Sequence, residues 1–387
     1  MSDPGTHPEI GWRDASGGTR RAAWLGQDAA PLRLGTADDR IKAGEALQRA
    51  RRGEALVWTG DYHGARQLVA AMGRRIEAGG RAPRERDLCA LFRADRERKR
   101  QEHNLLGRIL VPVDPGFLVP LRRAPHVEAP MIEALGADAP LPGLLPLREL
   151  LGMIGAHEWR VKGVLVPALG DGVRVHPHYG VFAPVRGEYV DLVARACARW
   201  PVEGKLAHDV GTGSGVLALL LAQRGAKVVA TDIEPRAVAC ARDNAARLGL
   251  TGRIDVLEAD LFAGGRADLV VSNPPWIPAE PVGLLDRAVY DPSGTLLDRI
   301  VADLPIRLSP GGEGWIVVSD LAERLGLRRP GHLEALAARV GLDVADVLEA
   351  APSHPRARDT SDPLHAARSA EITRLYRLVE GTARRSS

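Results

Sequence analysis

The sequence predicts an α/β protein in which a doubly wound parallel sheet follows a mainly helical amino-terminal domain. After residue 205, short β-rich runs alternate with helical patterns, as in a parallel sheet with crossover helices. A glycine-rich turn at 209–215 follows the first of these runs. The apolar run 268–272 ends at Asn273 and two prolines, which cannot donate ladder hydrogen bonds, so strand pairing must stop there.

The carboxyl-terminal elements follow from hydrophobic periodicity. Strands are predicted at 206–210, 227–231, 254–257, 269–272, 314–318, 342–348 and 372–379. Helices are predicted from residue 214, at 236–248 and at 332–340. In such a sheet, ligands bind outside the carboxyl ends of the strands, which is where Asn273 falls.

Periodicity and composition also divide the chain. Residues 1–38 carry Gly, Asp and Pro with little periodicity, which predicts a loosely ordered lead-in. Residues 39–158 have helical spacing and are assigned to a mainly helical, substrate-recognising domain. A hairpin signal at Gly170-Asp-Gly172 makes 159–185 a β-hairpin linker. Residues 186–380 form the catalytic domain, and 381–387 a disordered tail.

Composition excludes several classes of protein. The chain is 45% apolar and 26% charged, as in ordinary globular proteins. Its net charge of +3 is too small to require a nucleic-acid partner. Three cysteines without CxxC spacing indicate neither a disulfide framework nor a metal site. The sequence has no membrane-spanning run, which predicts a cytoplasmic protein with no membrane partner. Nothing in the sequence indicates the oligomeric state.

A basic run at 93–100 is the best local candidate for gripping a phosphate backbone. Asp95, Glu97 and Glu102 interleave with its arginines and allow ion pairs three or four residues apart along a helix. The pattern therefore favours a solvated helix face over a nucleic-acid contact.

The glycine turn has the features of a nucleoside-binding loop. Glycines let the backbone approach a ligand without a Cβ clash. Val216 stands where a dinucleotide-binding loop has its third glycine, and the turn lacks the lysine of a P-loop, which argues against both. The candidate cofactor-binding residues of the turn are Asp209, Gly211, Thr212, Gly213, Ser214 and Gly215.

Acidic residues follow the next two predicted strands. Asp232 is placed to accept both hydroxyls of a ribose. Asp260 is placed to meet the exocyclic amine of adenine, although a turn or N-cap aspartate is equally consistent with its position. Ile233 and Leu261, which come directly after them, and Asn273 complete the candidate cofactor-binding set.

These motifs together resemble a class I S-adenosylmethionine-dependent methyltransferase. The segments 209–215, 231–238, 241–249 and 272–278 are similar, in order, to blocks of the HemK-like glutamine N-methyltransferases that modify release factors. The resemblance covers roughly residues 159–320. It implies a Rossmann-like, seven-stranded methyltransferase sheet, S-adenosyl-L-methionine as cofactor, no metal, and a protein substrate such as a translation factor.

Two departures from that family leave the substrate open. Trp276 replaces the usual tyrosine, and an acidic-proline, double-glycine segment survives only as Tyr290-Asp-Pro292 followed by Ser293-Gly-Thr295. Related enzymes with an Asn-Pro-Pro-aromatic motif methylate exocyclic amines of adenine or guanine. An RNA or DNA substrate therefore remains the alternative. A non-catalytic adenosine-binding module is disfavoured, because the segment Asn273-Pro-Pro-Trp276, called the tetrapeptide below, would then have no function.

The chemistry of a planar amino group accounts for the catalytic candidates Asn273, Pro274, Pro275 and Trp276. The lone pair of such a nitrogen is delocalised, so an enzyme must hold both of its protons. The Asn273 side-chain oxygen and the Pro274 carbonyl are the predicted acceptors, and the prolines remove competing N–H donors. Trp276 would stack on the amide or base. A methyl sulfonium is already an activated electrophile, so no nucleophile or strong base is needed.

Overall fold

The computed structural model of the chain describes residues 7–14, 16–79, 87–352 and 358–381. The described residues fall into two compact units. One lies within Met1–Pro83 and Ala94–Glu158, and the other within Arg84–Arg93 and Trp159–Ser387. The division drawn from the sequence differs from this one. The start of a helix, up to Arg93, groups with the second unit, the predicted lead-in 1–38 falls in the range of the first unit, and the predicted linker 159–185 falls in the second.

The first unit is built on a six-stranded sheet with the order β1-β2-β6-β5-β4-β3. Its strands are β1 Glu9–Arg13, β2 Thr19–Trp24, β3 Arg33–Ala37, β4 Glu54–Trp58, β5 Ile109–Val113 and β6 Gly143–Pro146. The accompanying helices are α1 Ala43–Arg51, α2 Tyr62–Gly79, α3 Leu88–Leu106, α4 Glu128–Leu135 and α5 Leu147–Lys162.

The predicted loose lead-in at 1–38 is wrong for its described residues. β1 and β2 pair antiparallel, with Glu9 opposite Ala23, and β3 pairs parallel with β4. The apolar signal is thin because Ile10, Ala22 and Trp24 carry most of the burial of this hairpin, while arginines occupy its exposed positions. Such short strands owe their stability to the neighbouring strands and not to local pattern.

The prediction of a mainly helical domain at 39–158 missed the sheet on which the helices pack. Strand β4 has parallel neighbours on both sides, β3 and β5. Leu56 and Val57 are both buried, so both faces of the strand are covered. A strand covered on both faces shows no alternation of apolar and polar residues, which is why its run was not separated from the helices around it.

A short hairpin and a seven-stranded sheet make up most of the second unit. The hairpin strands are β7 Val164–Leu165 and β8 Arg174–Val175. The strands of the sheet are β9 Leu206–Val210, β10 Lys227–Asp232, β11 Ile254–Glu258, β12 Ala267–Ser272, β13 Leu308–Ser319, β14 Leu342–Ala350 and β15 Thr373–Glu380. The helices are α6 Glu188–Arg199, α7 Val216–Gln223, α8 Pro235–Arg247, α9 Leu296–Arg307, α10 Leu321–Arg324, α11 His332–Arg339 and α12 His365–Ser369.

The order of this sheet, β11-β10-β9-β12-β13-β15-β14, confirms the predicted doubly wound fold. The chain runs outward from β9 through β10 to β11 and then returns to the other side of β9 to form β12. The strands β11, β10, β9, β12 and β13 are parallel, and β15 is antiparallel to β13 and β14. Order reverses between β9 and β12, and such a switch point opens a crevice at the carboxyl ends.

Alternating side chains of the central strands separate two cores. Val271 and Trp315 belong to the cluster that contains α7, whereas Val270 and Ile316 belong to the cluster on the opposite face. Every residue from Val216 to Ala222 is buried, which explains the continuous apolar run of this helix. Of the predicted tail 381–387, only Gly381 lies among the described residues, and its N–H donates to the Gly341 carbonyl at 3.0 Å.

We expect Leu219→Ala to destabilise the second unit by about 2–5 kcal/mol, since Leu219 is fully buried in α7 and its loss leaves a cavity. Urea unfolding of the full chain, followed by tryptophan fluorescence, measures the change. Leu285→Ala is the matched control because Leu285 is 56% exposed. Equal midpoints for the two variants would contradict the assignment of α7 to the core.

Candidate active site

Three strands bring the predicted site residues to one edge of the sheet. Thr231 of β10 lies opposite Val210 of β9, and Ser272 of β12 lies opposite Val210 on its other side. The residues that follow them are Asp232, Gly211 and Asn273. The Ser272 hydroxyl donates to the Val210 carbonyl at 2.8 Å and fastens β12 to β9 at this level. The glycine turn, the Asp232 carboxylate and the tetrapeptide therefore follow the ends of three neighbouring strands and lie side by side.

The glycine turn curls over the end of β10 and keeps an open side. The N–H groups of Gly211 and Thr212 donate to the Thr231 carbonyl at 2.9 and 2.8 Å. Gly211 and Gly213 have φ values of +73° and +56°, and a Cβ on either would meet no atom within 4 Å. The backbone at these two positions is thus uncovered, and a ligand can lie against it. The conformation itself favours glycine.

Asp209 supports the turn from inside. It is 1% exposed, and its Oδ2 accepts hydrogen bonds from the Thr212 hydroxyl at 2.6 Å and from the Ala218 N–H at 3.0 Å. Burial raises the pKa of Asp209 to about 6, against the opposing effect of these donors. Ser214 is buried as well, and its carbonyl accepts from the Asn244 side chain at 3.0 Å. Asp209, Thr212 and Ser214 therefore hold the loop, while Gly211 and Gly213 line its open side. Gly215 is buried instead, and a Cβ there would lie 3.0 Å from Ala241.

Asp232 is oriented by backbone donors on both of its oxygens. Oδ2 accepts from the Gly213 N–H at 2.9 Å, and Oδ1 accepts from the Glu234 N–H at 3.0 Å. Burial raises the pKa of this carboxyl, and the backbone donors oppose that shift. A carboxylate oxygen can accept more than one hydrogen bond, so each can still take a hydroxyl. Ile233 beside it is 62% exposed and offers an apolar surface.

The next predicted pair, Asp260 and Leu261, forms a fixed turn after β11. Leu261 has a φ of +70°, and its carbonyl accepts a hydrogen bond from the Thr231 hydroxyl. Asp260 is exposed, and its Oδ2 lies 2.7 Å from Nη2 of Arg299. An amine bound here would share the Asp260 carboxylate with Arg299.

The tetrapeptide is closed by a hydrogen bond across its two prolines. The indole N–H of Trp276 donates to Oδ1 of Asn273 at 3.2 Å. Pro274 is buried, whereas Asn273, Pro275 and Trp276 are half-buried. Asn273 was predicted to hydrogen-bond the substrate, and Trp276 was predicted to stack on the substrate. In the structure the indole of Trp276 also holds the carboxamide of Asn273.

Sequence reasoning missed an apolar wall beside the tetrapeptide, which we call the Phe92 cluster. Its buried members are Leu91, Phe92, Ile277, Leu321, Leu325, Leu364 and Ala367. Trp276 and Tyr290 pack against it, and the rings of Phe92 and Tyr290 are 6.5 Å apart. The apolar start of α3 was visible in the sequence, but nothing in that pattern indicates which surface it covers.

The shortened segment after Tyr290 leads into α9 and hydrogen-bonds the first residue of that helix. Asp291 is 7% exposed, and its carboxylate accepts from the N–H of Ser293 at 3.1 Å and of Leu296 at 2.8 Å. The Ser293 hydroxyl donates to the same carboxylate at 2.7 Å. Asp291 thereby satisfies the N–H of Leu296, the first residue of α9, and supports the start of that helix.

Metal-binding clusters and membrane-spanning helices are absent from the described ranges. No group of three or more His, Cys, Asp or Glu side chains within them could hold a metal ion. None of the helices found there has the length and apolar character required to cross a membrane.

Asp209→Asn should change how stability depends on pH. Because the folded-state pKa of Asp209 is raised from 3.8 to about 6, the folded chain keeps a proton that the unfolded chain releases in that window. The free energy of unfolding of the wild type should therefore fall, relative to the variant, as pH rises from 3.8 to about 6. Urea unfolding at several pH values measures it, with Asp255→Asn on the exposed face of β11 as control. Parallel profiles for wild type and Asp209→Asn would contradict the shift.

Comparison with known proteins agrees with this geometry. Residues 173–324 match the family described as Methyltransferase small domain. A release factor glutamine methyltransferase from Cereibacter sphaeroides is 37% identical over 154 residues, covering 37% of this chain and 50% of that protein. A ribosomal protein L11 methyltransferase from Symbiobacterium thermophilum is 33% identical over 176 residues, covering 41% and 51%.

A third relative acts on RNA by its name. The ribosomal RNA small subunit methyltransferase C of Alcanivorax borkumensis is 36% identical over 113 residues, covering 29% of this chain and 31% of that protein. The chain spans about half the length of the first two relatives and less of the third. The family match falls within the second unit, where residues 173–324 are similar to the methyltransferase small domain.

Proposed function

We propose that this chain transfers a methyl group from S-adenosyl-L-methionine to a planar nitrogen, and that this nitrogen is the side-chain amide of a glutamine in a protein such as a translation release factor. The observation that carries the proposal is the position of Asn273-Pro-Pro-Trp276 beside the glycine turn and Asp232, at the switch point of the sheet. A nucleobase amine of RNA or DNA is the alternative acceptor, supported by the similarity to a ribosomal RNA methyltransferase.

The edge of the sheet fits an adenosyl cofactor. The uncovered backbone of Gly211 and Gly213 leaves space that a side chain does not fill. Asp232 would accept the two ribose hydroxyls, because its oxygens already face the turn and retain free lone pairs. Ile233 and Leu261 would border the adenine, and Asp260 would accept from its amine. The bound cofactor supplies an electrophilic methyl group.

The chain's own contribution to transfer is to hold the acceptor nitrogen. Asn273 Oδ1 and the Pro274 carbonyl accept its two N–H groups, which draws it toward a pyramidal geometry and frees its lone pair. Pro275 offers no competing N–H. Trp276, which packs against the Phe92 cluster, would stack on the planar group and exclude water from it. Most of the barrier is then lowered by alignment of nitrogen and methyl group.

The charges on α3 favour a protein substrate. Asp95, which is 4% exposed, lies 2.7 Å from both Arg98 and Lys99, and Glu97 lies 3.2 Å from Arg100. Asp95 and Glu97 thus pair with three of the five cations of the basic run, as the interleaved pattern predicted. These ion pairs lower the charge that the helix can present to a phosphate backbone, which needs several unpaired cations.

The substrate proposal is tested by methyl transfer from labelled S-adenosylmethionine to three separate acceptors: a release factor, ribosomal protein L11 and small-subunit ribosomal RNA. We expect label in the release factor, with mass spectrometry locating the methyl group on a glutamine side chain. Asn273→Ala is the control for contaminating activity. Label that enters only the RNA, or that in a cell lysate resists protease and disappears with nuclease, would overturn the glutamine proposal in favour of the nucleobase.

Two substitutions separate cofactor binding from transfer. Asp232→Ala should weaken binding of S-adenosylmethionine about 10- to 100-fold, because it removes a charged hydrogen-bond acceptor that contributes about 1.5–3 kcal/mol in all. Asn273→Ala should leave cofactor affinity nearly unchanged and lower kcat by about 10²-fold or more. Calorimetry gives the affinities and label transfer gives kcat, with Asp255→Ala as the matched control. Failure of Asn273→Ala to bind the cofactor would contradict this division of roles.

A further inference from the structure

Trp276 is anchored from three directions. Its ring packs against the apolar cluster on each face of the sheet and also against the Phe92 cluster. From this fixed position its N–H reaches Oδ1 of Asn273 at 3.2 Å, three residues back along the chain. The two prolines between them restrict the backbone that joins the pair. The ring is therefore a rigid support, and the carboxamide is the group that it can orient.

The chemistry of the indole fixes which end of the carboxamide faces it. An indole N–H donates a hydrogen bond and never accepts one, whereas a carboxamide has a donating NH₂ and an accepting oxygen. Turning the Asn273 amide over would set two donors against each other. The contact thus selects the rotamer in which Oδ1 lies on the indole side. The second lone pair of Oδ1 stays available to an incoming N–H.

The usual tyrosine of the resembled family would stack as well, but its donor is a hydroxyl at the far end of the ring. The replacement at position 276 exchanges that hydroxyl for a ring N–H, and this N–H lies 3.2 Å from Asn273 Oδ1. We propose that Trp276 is a positioning residue, whose indole N–H holds the Asn273 oxygen in the orientation that receives the acceptor nitrogen. This inference rests on the proposed function, and it assigns to Trp276 a role separate from stacking.

The hydrogen bond is tested without any substrate. In the ¹⁵N-labelled full chain, Trp276→Phe identifies the indole resonance of Trp276 among those of the seven tryptophans. Asn273→Leu keeps the approximate shape of the side chain and removes its oxygen. We expect this variant to shift the Trp276 indole proton upfield and to leave the other indole protons in place. An unmoved Trp276 resonance would show that the hydrogen bond is absent in solution, which overturns the inference.

The positioning role is tested with 3-benzothienylalanine at position 276, an amino acid that keeps the ring system of tryptophan and replaces its N–H with sulfur. We expect an unchanged dissociation constant for S-adenosylmethionine and a kcat lowered about tenfold, equivalent to about 1.4 kcal/mol. In the Asn273→Ala background the same replacement should lower kcat no further. The matched control is 3-benzothienylalanine at Trp159, which is 49% exposed.

The other outcomes of this cycle each contradict the inference. An equal loss in both backgrounds would mean that Trp276 acts by stacking alone. A higher kcat without the N–H would mean that the indole competes with the acceptor for Oδ1. If the wild type methylates neither protein nor RNA acceptors, the proposed function fails and the positioning role fails with it, whereas the resonance shift still decides whether the hydrogen bond exists.

Discussion

The site depends on the register of three parallel strands. Val210 lies between Thr231 and Ser272, so that the strands β9, β10 and β12 end at the same level of the sheet. A slip of β12 by one residue would turn Val271 away from the cluster that it shares with Trp315 and would place Asn273 opposite Val210, inside the ladder. Packing on both faces thus fixes the level at which Asn273 leaves the sheet.

The polar groups at this edge of the sheet are held in place by hydrogen bonds within the chain. Asp209 and Asp232 each accept two hydrogen bonds from groups of the turn or of the residues that follow the strands. Such mutual support means that little conformational freedom remains to be lost when a ligand binds, which leaves more of the interaction energy for affinity. Burial of Asp209 is unfavourable for its charge, and its two donors offset part of that cost.

The parts of the fold that are specified locally could be predicted from the sequence. Glycines at a strand end, an aspartate after the next strand and prolines that stop a third strand each have a local physical cause, and the structure brings Gly211, Asp232 and Asn273 to one edge. Features that depend on partners distant in sequence were missed. Strand β4 shows no alternation because it has neighbours on both sides. The start of α3 was read as a helix, but the surface that it covers is set by residues more than 180 positions away.

The tetrapeptide alone cannot choose between an amide and a nucleobase amine, because both present two N–H groups and a planar face to Asn273, Pro274 and Trp276. Discrimination must come from the space around the nitrogen. In this chain the tetrapeptide has an apolar neighbour, because Trp276 and Tyr290 pack against the Phe92 cluster, whose members belong to separate segments. An apolar wall suits the methylene groups of a glutamine, whereas a nucleotide also brings phosphates that require unpaired cations. Under the proposed function, the side chains that govern acceptor choice therefore lie outside every recognisable motif.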